Sequence, residues 1–406
     1  MRPGGMPTAA QGCSRLAAMG AAFTAGSLLL ATATTAQAAA VPQLLTTPTA
    51  SSACSAPTRT AIGGANVDVD AIAAGPGCSA YAAGTNSSGS TVMYDWNGST
   101  WRHMTTFSGG NGGDLYAVTA PSAAATWAVG EYVDNTVADQ TLIERETARG
   151  WVTYASPDPA GAAGNNDLYG VAASGGSAWA VGTAQTATAS GSVVLILGWN
   201  GRKWVVARAP SLGRDQSSAL FSAAAVSSSS AWAVGTATSG SVARPLIERY
   251  QHGGWSVVAS PAISGELESV TVVSAKSAWA VGFRVSSGTD ATLIEHWNGS
   301  SWSVVSSPNV RRVDASSADD QLRGVAAVSA GNVYAVGVAA PAHSAVEQTL
   351  ILHWNGDSWV QVSSPDPAGA DGTNDLQAAA AGGGGCWIAG TYLTSKGAAY
   401  SFALHR

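Results

Sequence analysis

Acidic residues recur at one position of a repeating pattern. Asp68, Asp114, Asp167, Glu266 and Asp375 each directly precede an apolar residue that opens a short run of small and β-branched residues. Two further copies of the pattern depart from this: one carries Ala219, and another carries Gln321 with Asp320 one residue earlier. Carboxylates drawn from separate copies into one place would make a negative mouth, able to hold a cation or the hydroxyl groups of a ligand. Calcium there would need roughly six to eight oxygens within about 2.6 Å. An Asp at such a position also caps a turn by accepting backbone N–H groups. Both uses stay open on sequence grounds.

Other chemistry is sparse. There is no phosphate-binding or dinucleotide fingerprint and no Gly-x-Ser-x-Gly elbow. No Cys/His spacing fits zinc, and no metal site is expected beyond the possible calcium. His296, His353 and His405 share one repeat position and read as strand residues near the surface. Glu144, Glu248 and Glu295 share another, where other copies carry Leu197, Leu352 and Leu404; the exchange predicts an outer face that tolerates either type. Asp319-Asp320 lies in a Ser/Asp-rich stretch and reads as solvated. No catalytic set emerges.

The elements that must position the acids are legible. Tyr81, Trp127, Trp179, Trp232, Trp279, Tyr334 and Trp387 head the same phrase, (Trp/Tyr)-Ala-Val-Gly or a variant, at a period of roughly 50 residues, the signature of arrays and propellers. Each period holds four short runs rich in Val, Ile, Trp and Thr, bounded by turn residues. Asn97-Gly98, Asn200-Gly201, Asn298-Gly299 and Asn355-Gly356 separate the third run from the fourth, a strong hairpin signal. Pro157, Pro210, Pro261, Pro308 and Pro365 close the fourth run, where a ladder cannot continue. All 15 tryptophans fall at three repeat positions, so Trp is structural here. The expectation is an all-β, seven-bladed β-propeller over 67–406, four antiparallel strands per blade, with the first strands lining the axis. The last copy stops after its third strand. Gln43–Thr47, followed by Pro48, resembles the missing fourth strand and is expected to pair with Phe402–His405, closing the ring and covering two sheet edges.

These residues resemble the kelch-like β-propeller repeat proteins of the bacterial secreted type. A Gly ends the second strand (Gly130, Gly182, Gly235, Gly282, Gly337, Gly390), an aromatic comes late in the third, Trp opens the fourth and Pro closes it. Kelch repeats normally carry a double Gly, and this chain has one. The turn Trp297–Trp302 also looks like a shortened Asp-box hairpin, and the Gly-His and Trp-Asp signatures of WD40 repeats are absent. The resemblance implies a fold and leaves the activity open, since kelch-like propellers include enzymes and binding proteins.

The bulk numbers bound the rest. Only 11% of residues are charged, and Gly numbers 48. Residues 1–38 read as a secretory signal: Arg2 and Arg15, an apolar stretch from Leu16 to Leu30, and a cleavage-like Ala36-Gln37-Ala38. Its removal takes two of the 19 basic residues and none of the 25 acidic ones, so the mature chain is more negative than the −6 of the full sequence. That balance argues against nucleic acid and anionic membranes as partners. Residues 39–66 are read as closing strand and linker. Export permits a disulfide. In a closed ring Cys78 and Cys386 become neighbours, which favours that pair, with Cys54–Cys78 the alternative. The function expected is an exported, monomeric binding or scaffold module that meets an extracellular glycan or protein at one mouth. A carbohydrate-active enzyme and a structural envelope protein are the alternatives.

Overall fold

The computed structural model describes residues 58–406 except 124, 135–137, 188–190, 213–215, 287, 311–318 and 341–345. The signal peptide expected over 1–38, Gln43–Thr47 and Cys54 lie outside the described residues. Every regular element described is a β-strand, arranged as seven four-stranded antiparallel sheets. Each inner strand touches the inner strands of the two neighbouring sheets, and the last touches the first, so the sheets form a closed ring. The chain is a seven-bladed β-propeller.

The blades run in sequence. Blade one begins with the inner strand Val67–Ala74, blade two with Gly113–Thr119, blade three with Asn165–Ser174, blade four with Gln216–Ser227, blade five with Gly265–Ser274, blade six with Asp319–Ser329 and blade seven with Thr373–Gly382. The Asn-Gly signals form four-residue connections. In blade one, Asn97 Oδ1 accepts from the backbone N–H of Ser99 and Thr100, both at 2.9 Å, and Gly98 takes the positive φ of 96° that a side chain would resist.

The tryptophans cement the seams. Trp127 of blade two packs against Trp199 and Trp204 of blade three, each with ring centroids 5.1 Å away, and Trp232 of blade four repeats this with Trp297 and Trp302 of blade five. The histidines serve the same seams: His296 stacks on Trp279 and His353 on Tyr334. Burial lowers the pKa of both.

Three expectations need correction. First, the strand that completes blade seven is Arg59–Ala65, whose Arg59, Ala61 and Ile62 oppose Leu404, Phe402 and Ser401. Arg59–Ala65 thus takes the edge that was expected for Gln43–Thr47. The reason is proximity. Arg59–Ala65 passes through Asn66, at φ 63°, straight into the inner strand of blade one, so the outer edge of the last blade and the axis of the first are joined without a bridge. Ile62 is fully buried there, and Thr60 Oγ1 accepts the Trp101 indole N–H at 3.0 Å. Second, Cys78 and Cys386 are not joined: Cys78 is disulfide-bonded, whereas Cys386 is a free, fully buried thiol whose pKa burial pushes up to about 12. Third, Glu144, Glu248 and Glu295 are on no outer face. They are 1%, 0% and 0% exposed, inside the seams where Leu197 and Leu352 also lie. Glu and Leu interchange because both fill the same interior volume, at an electrostatic cost to Glu that sequence alone does not display.

Candidate functional site

The acidic positions are set by a feature repeated in every blade. Beside a second shift near the strand end in blades four to six, every inner strand carries a register shift at one equivalent place, between Val69 and Ala71, Leu115 and Ala117, Leu168 and Gly170, Leu220 and Ser222, Leu267 and Ser269, Leu322 and Gly324, and Leu376 and Ala378. This is a β-bulge, one residue without a partner on the second strand. The repeat glycine permits it. A Cβ on Gly130 would collide with the Asp114 carbonyl oxygen, and one on Gly182 with that of Asp167. The second strand presses on the inner strand just where the acid sits.

The bulge residue comes two positions after the acid. In ring order these are Asp70, Tyr116, Tyr169, Phe221, Glu268, Arg323 and Gln377, one per blade, all on the wall of the central channel. Sequence reasoning missed this ring. The signal was present: past the acidic position and the apolar residue after it, each is the one large or charged side chain in an inner strand otherwise made mostly of small and β-branched residues. The channel holds about 620 Å³, and its remaining wall is mostly Ala, Val, Ser and Thr.

The mouth above the bulges divides into two halves. In blades six and seven a base compensates the acids. Arg323 pairs with Asp375 and, at 3.5 Å, with Glu347, and Gln377 Nε2 donates to Asp375 Oδ2 at 2.9 Å. Asp375 is nonetheless pushed up to about 6 by burial, against the pull of Arg323. Burial and Asp290 raise Glu266 to about 7. Asp320 sits apart from the ring. Its Oδ2 accepts the Val310 N–H at 2.7 Å, as Asn166 Oδ1 accepts that of Ala160 and Asn374 Oδ1 that of Ala368. Asp320 is thus a buried brace for the incoming loop. The near-identical loops at Ser156–Gly161 and Ser364–Gly369 are pinned in the same way: Asp158 and Asp366 accept the backbone N–H of Thr141 and Thr349, both at 2.8 Å.

In blades one to three the acids are uncompensated. Asp68, Asp114 and Asp167 come together on one pocket of about 700 Å³ with Asp70, Glu131, Asp139, Tyr116 and Tyr169, and no Lys, Arg or His is among the described residues that line it. Asp68 Oδ1 accepts from Thr391 Oγ1 at 2.7 Å. Asp114 Oδ1 accepts its neighbour's N–H, Leu115, at 2.8 Å, so the turn-cap expectation holds for that oxygen. The Tyr116 hydroxyl lies beside Glu131 and that of Tyr169 beside Asp167, and the two rings meet edge to face at 5.6 Å. Glu131 Oε2 is buried and unpartnered. Burial, then the neighbouring carboxylates, pushes Asp114 and Glu131 up to about 8, and burial brings Asp167 to about 7. Asp70 is driven well above the carboxylate range by burial and by Asp114, Asp68 and Asp375. At neutral pH Asp70, Asp114 and Glu131 thus keep their protons beside two phenols, each group able to donate and accept. Among the described residues no three His, Cys, Asp or Glu side chains converge to hold a metal ion.

No protein-family model matches the chain, and no curated protein matches it. Similar solved structures share its architecture. A polysaccharide lyase, an ulvan lyase, is 10% identical at a TM-score of 0.55, covering 86% of this chain and 96% of its own. The same enzyme bound to -[GlcA(1-4)Rha3S]- gives 0.57. The six-bladed, fucose-recognising lectin of Aleuria aurantia is 14% identical at 0.44, covering 74% of this chain and 96% of its own. At these identities the likeness is one of fold.

Proposed function

We propose that this propeller is an exported binding module that takes a neutral, hydroxyl-rich glycan at the uncompensated half of its mouth. The carrying observation is the pocket itself. Carboxyls from three blades and two tyrosines converge there with no basic residue among its described lining. Sugars are bound by dense donor–acceptor pairs beside an aromatic surface, and proton-bearing carboxyls supply both roles without a charge to desolvate. The order of Gly, aromatic, Trp and Pro in most repeats supports a kelch-like relationship. The apolar stretch and Ala36-Gln37-Ala38 support export, which would place such a site among extracellular glycans. Calcium is the competing occupant.

A second reading has one observation in its favour. Asp114 and Glu131 are a carboxyl pair with pKa values displaced into the range of general acids, beside two tyrosines. The same scaffold would then cleave the glycan it holds.

Calorimetric titration of neutral oligosaccharides, and separately of calcium, into the wild type and an Asp114→Ala/Asp167→Ala variant tests both. We expect a neutral oligosaccharide to bind the wild type and to lose at least tenfold in affinity in the variant. Affinity should fall as pH rises past 8, where the carboxyls lose their protons. Binding of calcium alone, or equal affinity in both proteins, would overturn the reading. New reducing ends in the titrated sugar would establish the enzyme instead.

A further inference from the structure

The buried acids of the third strands reach toward the end of the preceding blade. Glu295 of blade five accepts from Ser260 Oγ at 2.8 Å, and Ser260 belongs to the Ser-Pro that ends blade four. Glu144 of blade two lies against the backbone of Phe107, in the segment that ends blade one. Glu248 of blade four has the same place in its sheet, opposite Ala233 as Glu295 is opposite Ala280. The segment ending blade three reads Ala209-Pro210, which offers neither a side-chain hydroxyl nor, at Pro210, an N–H. Both Glu248 oxygens are buried without a partner, and the residue is 0% exposed.

Its surroundings are apolar. Glu248 shares a strand face with Leu246 and Tyr250, which join Trp179, Val181 and Ile196 in the cluster between blades three and four, with Ala207 and Ala209 packed against it. The strands around it, Ser230–Ser239, Gly254–Val257, Val193–Trp199 and Trp204–Val206, carry no ionisable side chain, and neither does Gln216–Ser227. Asp167 and Tyr169, on the inner strand of blade three, belong to the mouth. Arg208 and Arg244 are exposed, and Arg249 lies over Trp232 and Trp297 in the next seam. At the outer end of the Glu248 seam a groove of about 580 Å³ already separates Trp199, Arg208 and Pro210 from Tyr250 and Trp255.

We propose that the seam between blades three and four is a proton-operated latch, closed while the Glu248 carboxyl is neutral and loosened when it ionises. A lone carboxylate cannot stay in a dry apolar seam, so ionisation must bring in water or part the strands. Burial pushes Glu248 up to about 8. The unfolded chain gives up this proton at about 4.3, so the acid subtracts stability as pH rises from there to about 8, and above 8 the charge sits in the seam itself.

Hydrogen-exchange protection of the full chain at pH 6 and pH 9 tests this. The third and outer strands of blades three and four should lose at least tenfold protection at pH 9, while the seam that holds Glu295 and Ser260 keeps its own. Glu248→Leu, which installs the residue found at this position as Leu197 and Leu352, should abolish the loss. Ala209→Ser supplies the missing hydroxyl and should shrink it several-fold. Unchanged wild-type protection, or an equal loss in Glu248→Leu, overturns the latch. Should Glu248→Leu fail to fold, an equal loss in Ala209→Ser and wild type does so.

Discussion

Asp114 and Glu131 stand directly opposite each other across the inner and second strands of blade two. The same cross-strand pair is Asp68 with Thr85 in blade one, Asp167 with Thr183 in blade three and Asp375 with Thr391 in blade seven. Blade two alone among these sets acid against acid. Burial first, then Asp68 for Asp114 and Asp139 with Asp114 for Glu131, pushes both carboxyls up to about 8.

Replacing Glu131 by Thr should therefore stabilise the protein. Acids with raised folded-state pKa values weaken the fold progressively as pH climbs from about 4 to about 8. Glu131→Thr should raise stability at pH 8 by about 1 kcal/mol and leave it nearly unchanged at pH 4. Urea unfolding at the two pH values checks this; an equal gain at both would mean packing rather than charge was the cause.

Arg323 is the only basic residue in the bulge ring, and it carries the compensated half of the mouth. Arg323→Ala should leave Asp375 and Glu347 facing each other without it, and should cost about 3 kcal/mol at pH 8. Because Asp375 takes up its proton near 6, the loss should shrink at pH 5. Chemical denaturation across that range reads the effect. A loss that does not vary with pH would assign Arg323 a packing role.

The repeat glycines are expected to tolerate no side chain. Gly182→Ala must push the Asp167 carbonyl away or undo the bulge, costing about 1–3 kcal/mol or more. The same change at Gly98, whose added Cβ meets nothing within 4 Å, strains only its own φ and should cost less. Melting temperatures of the two variants compare them directly; the reverse ranking would show that the second strand does not press on the inner one.

Blade number, strand count and the acidic position were legible because each rests on a period, and seven copies average out local noise. What escaped rests on single residues. The bulge ring was hidden because one unpaired residue slips the alternation that identifies strand faces, so Asp70 and Tyr116 read as ordinary strand positions. Arg59–Ala65 was overlooked because Gly63 and Gly64 dilute its pattern, whereas Pro48 lent Gln43–Thr47 a likeness to the other outer strands. Asp320 was placed in the ring by its charge, although its position is that of Asn166 and Asn374. The burial of Glu248 is invisible in a sequence where Leu and Glu alternate at that position.

The bulges also separate two tasks that a plain strand would bind together. A residue in a regular ladder must suit its cross-strand neighbour as well as the space before it. The seven bulge residues have no ladder partner to suit, because the ladder closes on either side of them. That independence explains how Asp, Tyr, Phe, Glu, Arg and Gln occupy equivalent places on one repeating frame. The axis is therefore a set of seven separately writable positions, and its chemistry can be rewritten residue by residue while the seams and the closing strand keep the ring intact.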